Sequence, residues 1–99
     1  MTQYTYLFIR GDLTPAQQIV QAAHAAHEAG ERFGEHSHLI CLRSSSQAEL
    51  EKQALFLERS NIQYQMFFEP DNNLGYTAIC TQPLIGDQRK PLERFSLHT

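Results

Sequence analysis

The chain has 99 residues, 41% of them hydrophobic and 19% charged, with a formal net charge of −3. That length builds one domain with a real core and not two, and no run approaches the roughly 18 apolar residues that a membrane helix needs. The acidic balance excludes nucleic-acid binding by bulk attraction, so any RNA contact would need a local basic patch drawn from arginines such as Arg10, Arg43 and Arg94. The opening residues Met1 to Tyr6 lack the basic-then-apolar layout of a signal peptide, which sets a cytoplasmic location as the expectation.

In chain order, Tyr4 to Arg10 is aromatic and β-branched and predicts a strand; its Leu7-Phe8-Ile9 run suits a central strand covered on both faces. Gly11 and Asp12 end it. Thr14-Pro15-Ala16-Gln17 then combines a cap, a proline at the first helical position and capping-box spacing, predicting a helix to about Ala29 with Gly30 as its stop. Between Gln21 and His27 this helix carries mainly alanine, so it can lie close to a sheet while Gln21 and His24 project at i and i+3. Glu31 to His38 is polar and reads as a turn or a helical extension.

His38 to Arg43 predicts a second strand, and Ser46-Gln-Ala-Glu49 is a second capping box, opening a helix with Leu50, Ala54, Leu55 and Leu57 on an apolar stripe. That helix ends near Ser60-Asn61. Ile62 to Phe68 and Tyr76 to Thr81 read as third and fourth strands around the polar turn Glu69 to Gly75. A short helical stretch is predicted around Pro91 to Phe95. The order β-α-β-α-β-β predicts an α/β fold in three layers: a small mixed four-stranded sheet with helices on both faces. The two crossovers imply parallel pairing and the last connection an antiparallel hairpin.

Cys41 and Cys80 sit in apolar strand contexts outside any CxxC, and are expected as reduced core thiols. His24, His27, His36 and His38 complete no zinc motif, so no metal and no cofactor is expected. Asp12 follows a strand and precedes a helix, where ligands gather in open α/β sheets, although a turn residue bonding its own backbone is the plainer reading. Glu69 and Asp71 flank a proline in a loop, read either as a site or as a solvated turn.

Arg10-Gly-Asp12-Leu13, Gln21-Ala-Ala-His24-Ala-Ala on the first helix, Phe68-Glu69-Pro-Asp71 and Tyr76-Thr77-Ala78-Ile79 together resemble the type-2 peptidyl-tRNA hydrolases, over about Tyr6 to Leu97. The resemblance implies a three-layer domain that forms a homodimer and hydrolyses the ester joining a peptide to tRNA. It places Glu69, with Asp71 as a rival, at the family's acidic position and Thr77 at its fourth-strand threonine. Gln17 stands where the family has a lysine, and Arg10, Asp12, Gln21 and His24 fall on the substrate-binding side. Two functions follow: a hydrolase of peptidyl-tRNA or an N-blocked aminoacyl ester, or a non-catalytic relative that binds RNA or protein through the same cleft.

Overall fold

A computed structural model describes residues 2–34 and 37–99. Strand β1 (Tyr4–Arg10) leads into helix α1 (Pro15–Phe33), β2 (His38–Ser44), helix α2 (Gln47–Arg59), β3 (Tyr64–Glu69) and β4 (Gly75–Thr81), with a 3₁₀ turn at Asp71–Asn73 and a 3₁₀ segment at Gly86–Arg94. The sheet is open, four-stranded and mixed, in the order β2-β1-β4-β3.

The helix starts follow their caps. The Thr14 side chain accepts from the Gln17 N–H and the Gln17 side chain from the Thr14 N–H, a complete capping box ahead of Pro15. At α2 the Ser46 hydroxyl accepts from the Glu49 N–H, but the Glu49 carboxylate reaches one residue further back, to the Ser45 N–H at 2.8 Å. The expected stop at Gly30 is not used. α1 continues to Phe33 and ends at Gly34, whose φ of 66° is the left-handed cap that glycine adopts at least cost.

The strand pairing departs from the sequence expectation at the second crossover. β1 and β2 run parallel, as expected, and β3 and β4 form the antiparallel hairpin. However, β3 does not pair with β2 or β1; β4 inserts between β1 and β3, antiparallel to both. The hairpin thereby returns its second strand to the middle of the sheet, where the apolar run Ala78-Ile79-Cys80 is covered on both faces.

Alternation along the strands divides the core in two. Tyr6, Phe8, Leu42 and Ile79 pack with Leu50, Ala54 and Leu57 of α2 and with Leu84 and Leu92 near the C-terminus. Leu7, Ile9, Ala78 and Cys80 pack on the other face with Ala25 and Ala29 of α1. Leu55, expected on the α2 stripe, is instead exposed, and Gln53 takes the buried position, donating to the Arg43 carbonyl at 3.3 Å. Both cysteines are free. Leu7 pairs with Cys41 on one side and Cys80 on the other, which sets the thiols two strand spacings apart, about 10 Å and beyond disulfide reach.

Candidate functional site

The C-terminal end of β1, the first half of α1 and the β3–β4 turn meet at one corner of the molecule. Arg10 leaves the end of β1 and turns inward, its side chain 11% exposed. Its Nε and Nη2 donate to the two oxygens of Asp12 at 3.0 and 2.8 Å, and its Nη1 donates to the carbonyls of Leu74 and Tyr76. The guanidinium therefore ties the end of β1 to the β3–β4 turn, and the hydrogen bonds from Arg10 hold the Asp12 carboxyl below its ordinary value.

The turn that Arg10 grips is left-handed at three positions: Asn72, Asn73 and Gly75 have φ of 57°, 56° and 74°. Asparagine tolerates this region through local side-chain bonding and glycine through its missing Cβ. The turn projects Glu69 from the end of β3 toward α1. The Glu69 carboxylate accepts from the Gln21 Nε2 at 3.2 Å and from the Asp71 N–H at 3.1 Å. The same Gln21 amide accepts at its oxygen from the Thr77 hydroxyl at 2.6 Å.

A β-bulge makes that last contact possible. Phe67 pairs with Ala78 and Phe68 with Tyr76, so Thr77 is an extra residue in β4. In an unbroken strand Thr77 would face away from Ala78, toward α2; the bulge turns both toward α1. Gln21 is 4% exposed and Thr77 is fully buried, which makes this pair the interior of the corner and Glu69 its mouth.

No protein-family model matches the chain, and no curated protein matches its sequence. Among solved structures, it is similar to the Agrobacterium tumefaciens strain C58 protein Atu0240, a protein of unknown function, with a TM-score of 0.75 over 100% of this chain and 99% of that one. At 10% identity the likeness extends to the fold alone.

The remaining residues read from the sequence fall around the same corner in unequal roles. Gln17 lies one turn before Gln21 on α1; the Thr14 N–H takes its amide oxygen, leaving the NH₂ end for an outside acceptor. His24 is exposed, and its ring lies 5.8 Å from that of Phe67 at a shallow tilt, so it forms a rim rather than a buried wall. Asp71 is exposed and enters the network through its backbone N–H, whereas Glu69 enters it through its carboxylate.

Of the arginines read as a possible basic patch, Arg43 and Arg94 line a cleft of about 200 Å³ together with Glu49 and Gln53, while Arg94 lies over the Phe56 ring at 4.7 Å. Arg10 does not line that cleft. A larger cleft, about 790 Å³, runs along β3 between Arg32 and Glu58 and takes in none of the residues at the Glu69 corner. His36 lies outside the described residues, among which no group of three metal-ligating side chains forms, and no helix is long and apolar enough to cross a membrane.

Sequence reasoning missed three contributors. Leu74 and Tyr76 act through carbonyls, which no side-chain pattern reveals. Gln47 at the start of α2 presses its side chain against Gly75, where a Cβ would collide with it. Gly75, with Asn72 and Asn73 shortly before it, was the sign of an unusual backbone.

Proposed function

We propose that the protein is a peptidyl-tRNA hydrolase-like carboxylic ester hydrolase, cleaving the bond between a peptide or N-blocked aminoacyl group and tRNA. The observation that carries this reading is the Gln21 amide bridging Thr77 and Glu69. It joins, from α1, β3 and β4, three of the residues that the resemblance names, Gln21, Glu69 and Thr77. Glu69, fixed by two donors at the mouth of the corner, orients and deprotonates the attacking water. The outward NH₂ of Gln17 donates to the oxyanion of the tetrahedral intermediate, as a neutral donor in place of an ammonium. The resemblance also carries a cytoplasmic homodimer, whose mass light scattering on the purified protein would establish.

The test is release of N-acetyl-aminoacyl groups from tRNA by the purified protein beside its Glu69→Gln and Asp71→Asn variants. Loss of turnover in Glu69→Gln alone supports the reading. Release no faster than the uncatalysed rate from all three folded proteins overturns it.

A second reading, a non-catalytic relative that binds RNA or protein, is favoured by the inward turn of Arg10. Its donors are engaged by Asp12 and two carbonyls, leaving the corner without that cation for a phosphate. Salt dependence separates the outcomes. A protein contacting several tRNA phosphates loses affinity steeply with salt, whereas a protein-binding module has no tRNA affinity to lose.

A further inference from the structure

We propose that Thr77 never touches substrate and is a positioning residue, acting through Gln21 to hold Glu69 in place; its bearing on turnover rests on the hydrolase reading above. Three observations carry the inference. First, Thr77 is fully buried, beneath a Gln21 that is itself 4% exposed, so no ligand reaches the hydroxyl while α1 stays docked.

Second, the direction of every bond in the chain is forced. A carboxylate accepts and does not donate, so Glu69 must face the NH₂ end of the Gln21 amide. That leaves the amide oxygen toward Thr77, whose hydroxyl must then be the donor, as the 2.6 Å contact requires. The Thr77 proton is committed to Gln21 and cannot stabilise an oxyanion. Were Gln21 to flip, its oxygen would meet the Glu69 carboxylate, two acceptors with no proton between them, and a buried group would be left unpaired. The Glu69 carboxylate thus sets which way the Gln21 amide points, and Thr77, donating to its oxygen end, fixes where that amide sits.

Third, the backbone is built for this contact. The bulge at Thr77 interrupts β4 pairing at the residue whose side chain must turn to α1, and resumes it on either side with Phe67 opposite Ala78 and Phe68 opposite Tyr76. The Thr77 hydroxyl then meets Gln21 on α1, next in the strand to Ala78, which packs with Ala25 and Ala29 of the same helix.

The experiment has an arm that does not depend on turnover. In ¹H–¹⁵N spectra of the whole protein, the side-chain NH₂ pair of Gln21 is identified by its disappearance in Gln21→Met. Thr77→Val and Glu69→Gln, each nearly isosteric, should each displace that pair, and Thr77→Ser should leave it near its original position. No displacement in Thr77→Val overturns the relay, whatever the protein hydrolyses.

The second arm uses N-acetyl-aminoacyl-tRNA. Thr77→Val should lower kcat about ten-fold, the scale of one lost hydrogen bond, with KM unchanged. Thr77→Ser should recover most of that loss, and Thr77→Val combined with Gln21→Met should be no worse than Gln21→Met alone. A raised KM, or losses that multiply in the double variant, assigns Thr77 a substrate contact and overturns the proposal. Displacement of the Gln21 pair together with no release by the wild-type protein upholds the relay and overturns the hydrolase reading.

Discussion

Arg10 holds Asp12 by two parallel hydrogen bonds, Nε to Oδ1 at 3.0 Å and Nη2 to Oδ2 at 2.8 Å, across a separation of only two residues. The pair is local, yet the same guanidinium reaches the Leu74 and Tyr76 carbonyls more than sixty positions away. Arg10→Ala would strand two carbonyls and a carboxylate at once. A loss of about 1–3 kcal/mol is expected, the scale of a charged hydrogen-bond network left unmade. The urea midpoint of unfolding reads it.

Acid should weaken the same contact. The Arg10 hydrogen bonds depress the folded Asp12 carboxyl below its ordinary 3.8. The unfolded chain therefore takes up this proton first. The contribution is complete above about pH 4 and drains away as pH falls through the lower, folded value. Urea midpoints between pH 5 and pH 2 should fall more steeply for the wild type than for Asp12→Asn, which has no such proton to bind. Equal slopes would remove the pair from the stability account.

Alkali should act through Cys80. The thiol is fully buried, and burial pushes it up to about 11 from an ordinary 9.0. The unfolded thiol loses its proton first, so stability falls as pH rises from 9.0 toward about 11. Cys80→Ala should lack that part of the slope in guanidinium titrations at pH 8 to 10.5. A native-state alkylating reagent should likewise leave Cys80 untouched, while Cys41, half-buried, reacts slowly.

The α1 interface should resist added volume. Ala25 is fully buried against Leu7, Ile9 and Ala78, so Ala25→Leu forces the helix outward at a cost of about 1–3 kcal/mol. Ala23, on the exposed side of the same helix, should accept leucine with little change. Thermal unfolding of the two variants gives the comparison.

Gly75→Ala should destabilise the β3–β4 turn by about 1 kcal/mol, from a φ of 74° alone. Adding Gln47→Ala removes the colliding side chain but not the backbone cost. Denaturation of both variants separates the two contributions, and recovery of wild-type stability in the double variant would assign the whole cost to Gln47.

The elements were legible where a short-range rule governs them. Thr14-Pro15-Gln17 and Ser46-Glu49 announce their helices through bonds made within four residues. Gly30 misled because a glycine inside a helix and one at its end look alike in sequence; only the backbone at Gly34 is left-handed. The insertion of β4 between β1 and β3 was not legible, since connection length orients a strand without choosing its neighbour.

At the corner, Glu69, Gln21 and Thr77 were found as residues but not as a chain of bonds. Thr77 lies in Tyr76-Thr-Ala-Ile79, whose alternation gives no sign of the extra residue. That Arg10 donates to the Leu74 and Tyr76 carbonyls was not legible, because nothing local in the sequence reveals acceptors supplied by the far hairpin.

The two halves of the core differ in what sets their spacing. On the α2 side, Phe8, Leu50, Leu57 and Ile79 interdigitate, and trimming one leaves a void that neighbours can partly fill. On the α1 side, Ala25, Ala29 and Ala78 let the helix approach the sheet closely, against Leu7 and Ile9. The α2 half is therefore a reservoir in which substitutions accumulate as lost stability while the Glu69 corner keeps its shape. The α1 half behaves as a mount: volume added at Ala25 or Ala29 is accommodated by shifting α1, the helix that carries Gln21 to Thr77.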